Sequence, residues 1–407
     1  MNDVLARSGA AATVAADDAG AAPWLDRVAA LGPVLEAAAP EADKARRLTA
    51  AAMAALHEAR LFRLLLPVDA GGEEMALPAF FEVIEALARH DGSTAWCVCQ
   101  GNGCAMTAAY LDAPVAEAIW GGDPAAVLAW GPGKAEAVAV EGGYRVTARS
   151  SFVSGSNHAT WLAAHCGTVR DGNGEIRLGP DGEPENRTAV FPAHQAALTA
   201  NWDVVGLRGT GSDSFAVDAL FVPEEYTVVR ATMMARRRNP SPIYGFPQMA
   251  IYAMGFAATA LGIARGFMDA FLVLAQEKKP RLVSEPICDN PVVQDEVARA
   301  EARLAAARAY LVAALERGWR EAEASDEVSI EGRMAIRLAG THATHEAKAV
   351  VDTLFDTGGT SAVFAAAPFE RRFRDIHTVA LQIQGRKTHY RTVGAWLLGH
   401  PPDMAVI

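Results

Sequence analysis

The sequence predicts an α+β protein in three parts: a helical N-terminal domain, a middle β-sandwich or barrel, and a C-terminal four-helix bundle. Three observations carry this expectation. Apolar residues recur at threes and fours through the first quarter of the chain, residues 125–235 alternate apolar and polar around Gly-rich turns, and four long helical patterns then run almost to the end. With 407 residues, 51% of them hydrophobic and 21% charged, the chain has enough material for two or three domains and a large buried core.

Residues 1–23 are rich in Ala and Asp and lack a basic start with a continuous apolar core, so they read as a flexible tail and not a signal peptide. Over residues 24–124 "ADKARRLTAAAMAALHEARLFRLLL" and "ALPAFFEVIEALARH" have helical periodicity, and "PVDAGG" between them breaks it with Pro67, Gly71 and Gly72. "DGSTAW" enters another helix with Asp91 or Ser93 as N-cap. Residues 125–235 form the β domain, with a hairpin signal at Gly142-Gly143. Residues 236–247 serve as a linker whose Arg236, Arg237 and Arg238 read as solvated. Residues 248–407 supply the bundle, ending in one long helix through "IHTVALQIQGRKTHYRTVGAWLLG". The apolar stretch 249–264 falls short of the roughly 18 residues that a membrane span needs, which argues against a membrane protein.

Net charge is −11 and no Lys/Arg block stands out, which argues against a nucleic-acid surface. Five cysteines without paired metal spacing (Cys97, Cys99, Cys104, Cys166 and Cys288) point to reduced thiols, a cytoplasmic setting and no metal site. His342 and His345 are three apart but have no carboxylate at matching spacing, and read as surface histidines.

Six motifs in the right order resemble the acyl-CoA dehydrogenase superfamily: "PVDAGG", "SFVSGSNHATW", "GLRGTGSDSFAVDALFVP", "LGIARGFMDAF", Gln294 in "NPVVQDEVA", and "FDTGGTSAV". "DGSTAWCVCQGNGCA" and "HYRTVGAWLLGHPPD" are more similar to its two-component flavin-dependent monooxygenase branch. The resemblance implies a homotetramer or dimer. It also implies that reduced FAD or FMN comes from a separate reductase, and that O2 added at flavin C4a as a (hydro)peroxide oxygenates a small aromatic substrate. Ser154 then falls at the flavin-facing hydroxyl, Trp161 closes that motif, and Gly358 and Gly359 approach a flavin diphosphate, often that of a neighbouring subunit.

A flavin ring needs an apolar slot with a few donors at its polar edge, and Ser154, Ser156 and the backbone around Trp130 and Gly131 can supply them. Gly358 and Gly359 let the backbone come close to a phosphate, where Thr360 and Ser361 add hydroxyls. Trp96 and His158 are expected to meet substrate.

The catalytic group is the open question. The commonest dehydrogenases place a Glu after an Arg-Asp pair, shortly before a Gly; the monooxygenases commonly place a His eight residues after that Arg. Here Arg374-Asp375 and Gly385 are present, but the His position is Gln382, and an amide accepts no proton near neutral pH. A continuous helix would put His377 and Gln384 on one face, and Gln382 and His389 likewise. These four are the catalytic candidates, and Arg374 and Asp375 are assigned to structure. A dehydrogenase with a displaced base and a catalytically silent scaffold remain as alternatives. No Gly-x-Gly-x-x-Gly fingerprint follows a strand, so a nicotinamide cofactor has no evident docking place.

Overall fold

The computed structural model describes residues 20–179, 182–281, 283–404 and 407. Most of the expected tail at 1–23 lies outside the described residues, and α1 (Ala22–Ala45) already begins inside it. Thr49 caps α2 (Ala50–Glu58) by accepting from Ala52 N. The Pro67 turn follows, with Gly71 at φ +81°, a conformation that suits glycine. Helix α3 (Leu77–His90) buries one stripe, Phe80, Ile84 and Leu87, against the core. Asp91 is the N-cap of α4 (Gly92–Ala105), its carboxylate accepting from Thr94 N at 2.8 Å. Almost all of α4 is buried, and the short α5 (Ala113–Ala116) closes this part.

Two sheets follow. One orders β1 (Leu128–Ala129), β4 (Trp161–Cys166), β6 (Arg187–Pro192) and β9 (Thr227–Val229). The other orders β5 (Thr168–Arg170), β2 (Gly133–Val140), β3 (Gly143–Val153), β8 (Asp213–Pro223) and β7 (Ala197–Thr199). Among the described residues only β1–β4 and β2–β5 pair in parallel, and the expected β2–β3 hairpin turns at Gly142, φ +75°. Tyr144, Val146, Phe191 and Phe215 bury a core shared by the two sheets.

Two of the three linker arginines are not solvated as expected, and the side chain of Arg236 lies outside the described residues. Arg238 pairs with Asp69 and donates to Ala108 O, and Arg237 sits 3.4 Å from Asp326, so both fasten the chain to the helical domains. The bundle contains α6 (Gln248–Glu277), α7 (Pro291–Ser325), α8 (Ile330–Gly358) and α9 (Glu370–Leu381), with α10 (Thr388–Leu397) packed on α8. Contrary to the sequence arithmetic, α6 is long and apolar enough for a membrane span by composition, but 67% of its apolar window is buried inside the protein. Gly262 and Gly266 bring it against the α3 backbone at Glu85 and Arg89, where any larger residue would collide.

The last expected helix is two. The chain leaves α9 at Leu381 and resumes at Thr388. Gln382 turns extended (φ −70°, ψ 162°), its side chain accepts from Gln384 N at 2.6 Å, and Gly385 N bonds back to Gln382 O. Local capping thus outcompetes helix continuation.

Candidate active site

The end of β3 carries the flavin-strand motif in an irregular backbone. A register shift separates Ser150 from Val153, and Phe152 lies at φ +56° with 63% of its surface exposed. A bulky residue in the left-handed region is strained and needs a compensating reason, which points to a functional surface. The Phe152 ring meets Trp202 edge-on at 5.8 Å. Gly131 must be glycine because the Ser151 carbonyl occupies the place of a Cβ.

Behind this face runs a chain of buried hydroxyls. Trp96 Nε1 donates to Ser154 Oγ at 2.9 Å, Ser154 and Ser212 share a hydrogen at 2.7 Å, Ser212 and Thr210 do the same, and Thr210 donates to Leu207 O. Trp96 is held by stacking on Phe256 (3.7 Å between ring centroids), which in turn stacks on Tyr252. Ser156 donates to Gly211 O and staples the following turn. His158 is packed so closely that burial, assisted by His57 and Arg47, pushes its pKa down to about 4, and its Nε2 has no hydrogen-bond partner. Trp161 stacks on Tyr226.

Trp130 is the bridge from this strand to a cavity of about 610 Å³. All three parts of the chain build that cavity: Met106 and Thr107 after α4, Trp130, His165, Thr188 and Arg230 from the β domain, and Phe246 to Met249 with Met404 and Ile407 from the C-terminal part. Its volume lies in the range of small-molecule pockets. Methionines and aromatic rings dominate its walls. His165 packs edge-on against Trp130 at 5.0 Å and bonds Thr188 through Nδ1. Burial, with the Arg230 charge adding to it, pushes its pKa down to about 3, so the ring is neutral at pH 7.

The four catalytic candidates are scattered by the break after Leu381, so the shared-face geometry expected of one helix does not exist. His377 lies on α9 between Phe373 O (2.7 Å) and Asp352 (3.2 Å). Gln382 caps the loop. His389, on α10, is buried with Nε2 on Ile383 O at 2.7 Å, and burial lowers its pKa. Of the four, Gln384 comes nearest the cavity. Its Oε1 accepts from the buried Arg337 at 2.7 Å, and its amide lies 3.5 Å from the sulfur of the wall residue Met249. Arg374 holds Asp43, Glu370 and Val205 O, and Asp375 accepts from Leu207 N at 2.6 Å; both join domains, as assigned. Gly358 ends α8, its carbonyl accepting from Lys278. Gly359 turns left-handed at φ +52°, and Thr360 and Ser361 follow it on the surface.

These residues fit a flavin. An open face at Phe152 adjoins the Ser154 hydroxyl, His158 offers an unpartnered buried nitrogen, and the Gly359 turn presents a left-handed backbone beside the Lys278 ammonium. The sequence left Arg230, His165, Thr188 and Arg337 unmarked; none sits in a motif, and only the fold brings the first three to the cavity wall and Arg337 to Gln384 beside it.

The three-part fold and this donor set define a flavoprotein of the acyl-CoA dehydrogenase superfamily. Residues 254–384 match the acyl-CoA dehydrogenase C-terminal domain family. The chain is 30% identical over 364 residues to indole-3-acetate monooxygenase of Pseudomonas putida, covering 89% of this chain and 90% of that one. It is 29% identical over 362 residues to the oxygenase subunit HsaA of a flavin-dependent monooxygenase of Rhodococcus jostii (strain RHA1), covering 87% and 92%. The crystal structure of 3-HSA hydroxylase from Rhodococcus sp. RHA1 matches with a TM-score of 0.84 at 26% identity, over 94% of this chain and 98% of that one. The chain belongs to the flavin-dependent monooxygenases of this superfamily. These relatives favour the oxygenase over the dehydrogenase and scaffold alternatives.

Proposed function

We propose that the chain is the oxygenase component of a two-component system that inserts one atom of O2 into a small aromatic or heteroaromatic substrate, using reduced FAD or FMN supplied by a separate reductase. The observation that carries this reading is the Met- and aromatic-walled cavity whose wall residue Trp130 precedes Gly131, which packs against the flavin-strand motif at the Ser151 carbonyl. Reduced flavin, when bound, supplies the electrons that activate O2. The chain's own part is placement and exclusion of water. Phe152 and the backbone at Trp130 and Gly131 receive the ring, while Ser154, which accepts from Trp96 and gives its hydrogen to Ser212, offers its remaining lone pair to a donor at the flavin edge. The apolar walls keep water from the reacting atoms. His158 and Trp161 border the motif.

Gln384, fixed by Arg337, is the catalytic candidate best placed to orient substrate through the Met249 wall. A second copy supplies the diphosphate end through Gly358, Gly359, Thr360 and Ser361. Support for a homotetramer comes from apolar side chains left open at the C-terminal end, Leu381, Leu397 and Leu398 at 83%, 67% and 84% exposure. The free thiols among the described residues support a cytoplasmic setting.

The test combines the chain with chemically reduced FAD or FMN, O2 and a panel including indole-3-acetate and resorcinol. Product formation coupled to oxygen uptake is expected. Flavin bleached anaerobically by an acyl-CoA, or no binding of reduced flavin, would overturn the proposal.

A further inference from the structure

We propose that the methionine wall of the cavity is a modification site: hydrogen peroxide oxidises Met234, Met249 and Met404 to sulfoxides, and the wall loses its hold on an apolar ring until they are reduced. The inference rests on the oxygenase reading above for the source of the oxidant. Reduced flavin that meets O2 and finds no substrate to oxygenate passes its electrons to the oxygen, and hydrogen peroxide accumulates.

Of the 11 methionines in the chain, Met106, Met233, Met234, Met249 and Met404 line this one cavity. Exposure separates them from the others. Met75, Met254, Met268 and Met334 are buried, whereas Met234 and Met404, at 50% and 52% exposure, are the two exposed methionines among the described residues. Leucine would fill the same wall at a similar volume with a stiffer and chemically inert side chain, so a thioether at each of these places calls for a reason. Two of the sulfurs also have donors aimed at them. The Tyr110 hydroxyl donates to Met234 Sδ at 3.8 Å, and burial pushes the pKa of this phenol up to about 12, so it keeps its proton. The Gln384 amide donates to Met249 Sδ at 3.5 Å, and Arg337 on its oxygen fixes which end of the amide faces the sulfur. A thioether is a weak acceptor and a sulfoxide is polar, so both donors suit the oxidised wall better than the reduced one.

The step balances within the site. The sulfur attacks one peroxide oxygen, the O–O bond breaks, and the proton on the transferred oxygen passes to the departing hydroxide, which leaves as water. Sulfur gives up two electrons and the peroxide takes them. Charge builds on the departing oxygen as the bond breaks, and a phenol or amide donor beside the sulfur is placed to meet it. The same donor then bonds the new S=O oxygen. Each sulfoxide sets a polar group in a wall that otherwise suits an apolar ring, so accumulated peroxide weakens ligand binding, and sulfoxide reductases reverse the change.

The test adds limiting hydrogen peroxide to the full chain and maps sulfoxides by mass spectrometry of its peptides. Met53 is the comparison for Met249, since both are half-buried and only Met249 lies in the cavity. Met249 is expected to oxidise several-fold faster than Met53, with Met234 and Met404 ahead of both. Tyr110→Phe should slow Met234 several-fold and leave Met404 as it was. Equal rates at Met249 and Met53 would overturn the inference, and so would a Met234 rate unmoved by Tyr110→Phe, since the wall would then react as any accessible thioether does. The same oxidised sample is titrated by calorimetry with whichever of indole-3-acetate and resorcinol binds the untreated chain. Several-fold weaker binding is expected, restored by a methionine sulfoxide reductase; affinity untouched by the mapped oxidation would overturn the loss of hold. The sulfoxide map needs neither flavin nor turnover, so a chain that shows it yet oxygenates nothing would refute the proposed function and not the reactivity of the wall.

Discussion

Asp375→Asn should flatten the dependence of stability on pH. Asp375 is buried at the meeting point of α9, the Asp91 cap of α4 and the loop at Leu207. Burial first, and then the nearby Asp91, push its pKa up from 3.8 to about 7, against the pull of the Leu207 N–H and of Arg371 and Arg374. In the unfolded chain the group ionises near pH 4. Between about pH 4 and pH 7 the folded state therefore binds a proton that the unfolded state has lost, and stability falls as pH rises through that window. A difference of about three pH units, at about 1.4 kcal/mol each, gives on the order of 4 kcal/mol; relaxation of the interior reduces it to about 2–4 kcal/mol. Asparagine keeps an oxygen for Leu207 N–H and carries no charge. Thermal unfolding of both proteins at pH 5, 6, 7 and 8 is the assay. The variant should gain on the unmodified chain from pH 5 to about pH 7 and level off by pH 8. Parallel profiles would refute the reasoning and show that Asp375 ionises as freely folded as unfolded.

Two further outcomes follow from the site. Gln384→Ala removes the strongest partner of the buried Arg337, leaving only carbonyls at 3.3 Å; it should cost about 1.5–3 kcal/mol and lower product yield, whereas Gln382→Ala should cost less on both counts. Unchanged denaturant midpoints for Gln384→Ala would remove the anchor role. Trp96→Phe keeps the stack on Phe256 but deletes the donor to Ser154, with an expected loss of about 1 kcal/mol and weaker binding of reduced flavin; unaltered flavin affinity would take the hydroxyl chain out of the cofactor site.

Local rules written within a few residues were legible in the sequence. The stripe on α3, the Asp91 cap and the Gly142 hairpin depend on nearest neighbours, and the structure shows each. The break after Leu381 was not legible, because apolar spacing continues across it; what ends the helix is the Gln382 side chain turning onto Gln384 N, together with the demand of Arg337 for a partner 47 residues away in sequence. The arginines of the linker looked solvated because Asp69 and Asp326 are remote in sequence. Arg230 is a lone residue after a short strand, and only the fold brings it to the cavity wall.

The walls around the 610 Å³ cavity come from both ends of the chain and its middle, from Met106 to Ile407. All three parts contribute to the wall, so a molecule seated there acts as a cross-tie between the β domain, which has its own core, and the helical parts, which share one. Occupancy should therefore stiffen the joints more than the modules, and the same joints, loosened, become the door through which an occupant leaves.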